Sequence, residues 1–135
     1  SAGHELAAGA KLIAGGKSMG GRMTSQALAK HPDQRVAGIA FVGFPLHQPG
    51  KPSVTRAEHL GAVQVPMLFL QGTRDTLADL ELMQQVHAGL GEHATLHIID
   101  GADHSFAVLK RSGRSNEEVL REMAETIAAW ADGLA

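Results

Sequence analysis

The chain has 135 residues, 44% hydrophobic and 19% charged, with a formal net charge of −2: one ordinary globular domain, long enough to bury about two thirds of its unfolded surface. The balanced charge and the lack of a Lys/Arg cluster argue against a nucleic-acid partner, and zero cysteines exclude a disulfide scaffold or a thiolate metal site. Ser1-Ala2-Gly3-His4-Glu5 has no basic n-region or apolar run and no stretch is long enough to span a membrane, so the expectation is a soluble, cytoplasmic protein without membrane contact.

In chain order, His4 to Ala10 reads as the end of a helix and Lys11 to Gly15 as the first complete strand. A helix should run from about Ser18 to Lys30, with Met19, Met23, Ala27 and Leu28 as its apolar stripe. It should stop at His31-Pro32-Asp33, because proline disfavours helical geometry in the residue before it. Val36 to Gly43 is a continuous apolar run, as in a strand covered on both faces of a parallel sheet. Phe44 to Pro52, with Pro45, Pro49 and Pro52, is a loop; a short helical piece from Thr55 to Leu60 then leads to a third strand, Val65 to Leu70. Leu80, Met83, Val86 and Leu90 recur at helical spacing, and Ala94 to Asp100 is the fourth strand. Ser115-x-x-Glu118 is a capping-box signature opening a last helix with Val119, Met123, Ile127 and Trp130 on one face. The order β-α-β-(α)-β-α-β-α predicts an α/β fold, with three αβα layers around a mainly parallel sheet of about four strands and right-handed connections.

The chemistry centres on Gly16-Lys17-Ser18-Met19-Gly20-Gly21, a tight strand-to-helix turn with serine at its apex. The spacing Gly16-x-Ser18-x-Gly20 is that of a nucleophile elbow, in which small residues two before and two after the serine permit a strained turn that projects Oγ. A helix beginning there aims free N–H groups and the positive end of its dipole at the place where an oxyanion would form. Two phosphate-binding alternatives fail: a P-loop needs a glycine where Lys11 stands, and no three glycines have the G-x-G-x-x-G spacing.

The carboxyl ends of parallel strands share one rim, so Ser18 after the first strand, Asp75 after the third and His104 after the fourth should converge. A serine hydroxyl needs an adjacent base, and an imidazole base needs a carboxylate to hold its tautomer. Each residue has a structural alternative. Ser18 could ease a crowded turn; Asp75 could cap the next helix, with Asp79 as competing cap and rival acid; His104 and Asp103 could form a turn. His47, His59, His87, His93 and His97 show no metal-ligand spacing and read as surface or helix residues, so no metal or cofactor is expected. Lys17 and Arg22 read as solvated rim residues, with anion binding the lesser alternative.

Gly16-Lys17-Ser18-Met19-Gly20-Gly21-Arg22, Leu70-Gln71-Gly72-Thr73-Arg74-Asp75 and Gly101-Ala102-Asp103-His104-Ser105-Phe106 resemble the elbow, acid and histidine segments of the α/β-hydrolase superfamily, most closely its small dienelactone-hydrolase-like branch. The order Ser, Asp, His is that of the superfamily. The resemblance implies Ser18 as nucleophile, His104 as general base and then acid, Asp75 as orienting carboxylate, and the Met19 backbone N–H as an oxyanion donor. It spans essentially the whole chain, residues 1–135, read as one domain.

The pattern departs from the superfamily at the front. About ten residues precede the elbow strand, where α/β-hydrolases place several strands and a loop that supplies a second oxyanion N–H. The expectation is therefore a truncated α/β-hydrolase fold lacking those N-terminal strands. An elbow strand left with one unpaired side should drive homo-oligomer formation, or need a missing N-terminal half. The activity expected is that of a serine hydrolase, a carboxylesterase on small acyl esters. The alternatives are a catalytically weak or silent hydrolase-fold fragment acting in assembly or partner binding, and a thioesterase, lactonase or peptidase using the same triad.

Overall fold

The structure, a computed structural model, describes residues 12–134. Its strands are β1 (Leu12–Lys17), β2 (Val36–Val42), β3 (Met67–Gly72) and β4 (Ala94–Ile99). The α-helices are α1 (Met19–Lys30), α2 (Leu80–Leu90) and α3 (Asn116–Asp132), and a 3-10 helix, Thr55–Ala62, stands between β2 and β3. All four strands are parallel, in the spatial order β1-β2-β3-β4. The element order expected from the sequence holds, with the first strand displaced to end at Lys17 and the third to begin after Pro66. The helix expected over His4 to Ala10 lies outside the described residues.

Alternation along the strands divides the core between two faces. Ile39, Phe41, Met67 and Phe69 point to one side, where they meet Phe44, Leu46, Leu60 and Met83 together with Leu28 of α1 and Leu82, Val86 and Leu90 of α2. Leu68, Leu70 and Ile99 point to the other, where Val119, Met123, Ile127 and Trp130 of α3 cover them. Every residue of β3 is buried, because helices lie on both faces and β2 and β4 on both edges. A reciprocal capping box at Ser115 and Glu118 starts α3. Its Glu122 bonds His97 of β4 at 2.6 Å and pairs with Arg114; the His97 hydrogen bond is the main reason the Glu122 carboxyl is held below its ordinary value.

Helix α1 departs from the apolar stripe expected of it. Met19, Met23 and Ala27 lie on its exposed side, Met19 at 45% and Met23 at 62%, while Gly21 and Ser25 are its buried residues and Leu28 and Ala29 pack on the core. Among the described residues β1 pairs only with β2, and Met19 and Met23 of α1 are exposed. No helix among the described residues is long and apolar enough to cross a membrane.

The close approach of α1 to the sheet rests on a pair of glycines other than the expected one. A Cβ on Gly16 would come within 2.8 Å of the Gly21 nitrogen, and one on Gly21 within 2.7 Å of the Gly16 oxygen, whereas a Cβ on Gly20 would meet nothing within 4 Å. Gly21→Ala should therefore destabilise the fold by about 1–3 kcal/mol through overpacking. Gly20→Ala should leave stability unchanged or raise it by up to about 1 kcal/mol, through helix propensity. Urea melts of the two variants beside the wild type would show this order, and equal losses would refute it.

Candidate active site

Ser18 joins β1 to α1 with φ 55 and ψ −123, a backbone conformation that costs an L-residue on the order of 1–3 kcal/mol. The turn is held from both sides: the Ser18 N–H donates to Val42 C=O at 3.0 Å, and the Arg22 N–H donates to Ser18 C=O at 3.2 Å. Oγ of Ser18 lies 2.8 Å from Nε2 of His104, and Nδ1 of His104 lies 2.8 Å from Oδ2 of Asp75. The Asp75 side chain is fully buried and its other oxygen accepts the Leu77 N–H at 2.8 Å; the His104 side chain is 20% exposed. A hydroxyl, an imidazole and a buried carboxylate thus form one hydrogen-bonded line from three strand ends.

Neighbouring backbone bonds set that line. The Thr73 N–H donates to Ile99 C=O and the Arg74 N–H to Ala102 C=O, and Thr73 Oγ1 accepts the Gly101 N–H, so the acid and histidine loops are stitched together on either side of the pair. Asp103 is the turn former: its Oδ1 accepts the N–H groups of Ser105 and Ala107, and Phe106 beyond it sits at φ 63. Asp79, and not Asp75, caps α2, accepting the Leu82 N–H at 3.0 Å, which separates the two roles the sequence left in competition. Met19 opens α1, so its N–H has no carbonyl a turn earlier in the helix to bond and stands beside Ser18.

Two contributors have no motif of their own. Gly43, at φ +75, lies against the catalytic histidine candidate, since a Cβ there would come within 3.4 Å of His104 Cε1. Gln71 is buried at the end of β3, and its Oε1 accepts the Phe44 N–H at 2.6 Å, fixing the loop that leaves β2. A polar residue closing an apolar strand run was the available signal for Gln71; nothing in the sequence distinguishes Gly43.

His47 is not the surface or helix residue expected, whereas His59 is a helix residue, as expected, on the 3-10 helix. His47 is buried: its Nε2 accepts the Asp79 N–H at 2.8 Å and its Nδ1 faces Gln48 C=O, a pattern that a neutral Nδ1–H tautomer satisfies. His59 of the 3-10 helix lies 2.6 Å from the Oγ of Ser25, a second hydroxyl–imidazole contact. That pair differs from the first in three ways. Ser25 is wholly buried, its hydroxyl donates to Arg22 C=O at 2.7 Å, and no hydrogen bond to a carboxylate orients His59 among the described residues. No group of three metal-ligating side chains occurs among the described residues.

Burial, reinforced by the charge of Arg22, pushes the His59 imidazole below its ordinary value of 6.5. Below that pH the unfolded chain binds a proton that the folded chain resists. The contribution of His59 to stability should therefore be full above about pH 6.5 and be lost as pH falls through the folded midpoint. A proton NMR titration should place the His59 midpoint below 6.5, and His59→Gln should flatten the acid limb of the stability profile; a raised midpoint would contradict this cause.

A family model described as an alpha/beta hydrolase domain matches residues 3–132. Among solved structures, the chain is similar to the esterase domain of a Rhodothermus marinus protein at 16% identity and a TM-score of 0.65, covering 88% of this chain and 60% of that one. It is also similar to a dienelactone-hydrolase candidate from Klebsiella pneumoniae, at 20% identity and a TM-score of 0.62, covering 90% and 52%. A third likeness is to an alpha-beta serine hydrolase homologue from Coxiella burnetii, at 19% identity and a TM-score of 0.55, covering 84% and 49%. The chain thus spans about half the length of the solved structures it matches.

Proposed function

We propose that this chain, which belongs to the alpha/beta hydrolase family, carries the nucleophilic centre of a serine hydrolase that cleaves small acyl esters. The observation that supports it is the hydrogen-bonded line Ser18–His104–Asp75, with 2.8 Å at each step. Oγ of Ser18 attacks the ester carbonyl carbon while its proton passes to Nε2 of His104; Oδ2 of Asp75 holds Nδ1–H and stabilises the imidazolium. The tetrahedral oxyanion accepts the Met19 N–H. Collapse breaks the ester C–O bond, and the leaving alkoxide takes the proton from His104. A water molecule, deprotonated by the same imidazole, then attacks the acyl-enzyme and releases the acid and the Ser18 hydroxyl. Small carboxylic esters are the substrate class proposed, ahead of thioesters, lactones and peptides, and the esterase domain among the similar structures is in keeping with it.

One feature favours a catalytically weak chain that acts through assembly. β1 is an uncovered edge among the described residues, beside the exposed Met19 and Met23, and Met19 N–H is the single oxyanion donor assigned. Lack of a second donor costs on the order of 3 kcal/mol, about a hundredfold in rate. On this alternative the chain associates in solution, and activity rises with association. Light scattering that finds a stable monomer with undiminished esterase activity on dilution would remove it.

Hydrolysis of p-nitrophenyl acetate and butyrate should be measurable in the wild type and fall to background in Ser18→Ala and in His104→Ala. A fluorophosphonate probe should label the wild type at Ser18 and neither variant. Equal rates in all three proteins would overturn the proposal; a loss confined to the two variants would overturn the silent alternative.

A further inference from the structure

The loop that leaves β2 supplies no member of the triad, yet it meets two of them. Gly43, where the loop begins, lies against His104. Further on, the loop is bonded to both ends of the connection from β3 to α2, and Asp75 stands between those ends. At the near end the Phe44 N–H donates to Gln71 Oε1 at 2.6 Å. At the far end the His47 N–H donates to Leu77 C=O at 2.9 Å, and Nε2 of the His47 ring accepts the Asp79 N–H at 2.8 Å. Both His47 bonds therefore fall on the stretch that follows the carboxylate.

Leu77 carries the connection to Asp75. Its N–H donates to Asp75 Oδ1 at 2.8 Å, while its C=O accepts the His47 N–H. The other carboxylate oxygen, Oδ2, meets Nδ1 of His104 at 2.8 Å. With Oδ1 fixed by Leu77, the direction of Oδ2 follows from where Leu77 stands. The main-chain bond by itself leaves the segment free to pivot about the Leu77 carbonyl; the ring bond at Asp79 removes that freedom. The ring is set in its turn by Nδ1, which faces Gln48 C=O at 2.8 Å and so carries the proton, leaving Nε2 as the acceptor. His47 is 4% exposed, so bulk water is not at hand to replace an acceptor lost from its ring.

We propose that His47 is a positioning residue for the triad, its ring splinting the Leu77–Asp79 segment so that Oδ2 of Asp75 is aimed at Nδ1 of His104. It makes no hydrogen bond to Ser18 or His104 and acts through Asp75. The inference rests on the reading of Ser18, His104 and Asp75 as a hydrolytic triad. A carboxylate that misses Nδ1 leaves the imidazole without a fixed tautomer, and misplacement of a reacting group by about 1 Å can cost about a hundredfold in rate.

The test compares His47→Leu, which fills the space without an acceptor, with His47→Gln, whose amide oxygen can take the place of Nε2. The Nδ1 proton of His104, sheltered by Asp75, should give a resolved low-field proton resonance in the wild type and in His47→Gln, and should broaden or vanish in folded His47→Leu. For p-nitrophenyl butyrate, kcat should fall about tenfold or more in His47→Leu with KM unchanged, and recover in His47→Gln. A folded His47→Leu that keeps both the resonance and kcat, whatever its urea midpoint, would overturn the proposal, because that is what a merely structural histidine gives. A His47→Gln that loses both as fully as His47→Leu would overturn it too. If His47→Leu does not fold, the wild type decides. Acidification protonates the His47 ring, near which Asp75 and Asp79 lie on the splinted segment and Lys51 and Arg56 line a shared cavity. The scalar coupling across the Asp79 N–H to Nε2 bond and the His104 resonance should then disappear together, at the midpoint of the His47 ring protons; a His104 resonance that outlasts the coupling would refute the splint. A wild type that hydrolyses no ester would sink the proposed function, while the resonance still decides the role of His47.

Discussion

Phe41 and Phe69 are neighbours across the sheet, their rings stacked at 4.6 Å between centroids, and the register they mark is what the rim depends on. One row of pairs runs Gly16, Phe41, Phe69, Leu96 across all four strands, and the next runs Lys17, Val42, Leu70, His97. The residues just past that second row are Ser18, Gly43 and Gln71, so the elbow, the glycine beside His104 and the amide that holds Phe44 occupy one edge. A slip of one residue in any strand would turn its side chains to the opposite face and move its end along the rim. Phe44 packs edge-on against both rings, which ties the loop leaving β2 to the same cluster.

The strain at Ser18 is tolerable because its surroundings leave the chain no other course. β1 and β2 hold the residue through the Val42 carbonyl, and α1 is pinned against the strand by the contact of Gly16 with Gly21. That contact brings the first turn of α1 over the strand end, and with it the Met19 N–H. On the other side of the imidazole, the stitching of Thr73 and Arg74 to the Ile99–Ala102 segment sets the span over which Asp75 can meet His104. The comparison with Ser25 and His59 makes the requirement plain. A hydroxyl 2.6 Å from an imidazole is not sufficient for nucleophilic chemistry when the hydroxyl is buried and its proton is engaged by a backbone carbonyl.

Around this centre the rim is asymmetric. On the β2 and β3 side stand the 3-10 helix and the proline-rich loop, where Lys51 and Arg56 make no ion pair among the described residues. On the β1 side, α1 turns Met19 and Met23 outward and the strand edge is uncovered among the described residues. The core and the Ser18 line therefore draw on different parts of the molecule: the core lies under β2 and β3, while the Ser18 hydroxyl stands at the margin of the described sheet.

The sequence by itself determined the kinds and order of the elements, because those depend on spacing along the chain. Apolar runs of strand length, the Ser115 and Glu118 capping box and the strand-turn-helix around Ser18 are local signals, and they remained legible after folding. So was the convergence of Ser18, Asp75 and His104, since a parallel sheet sends every strand's carboxyl end to one rim. What only the tertiary structure decided are matters of which neighbour arrives. Gly20 and Gly21 are indistinguishable in sequence; only at Gly21 would a side chain collide with Gly16. Met19 and Met23 have the spacing of a core stripe, yet the sheet lies under Gly21 and Ser25, and helical periodicity gives the separation of a face without saying which way it points. His47, His59 and His104 are the same side chain with the same freedom in the unfolded chain. The Asp79 amide, Ser25 and Asp75 that separate their roles lie from 29 to 34 residues away in sequence, and close only when the sheet forms.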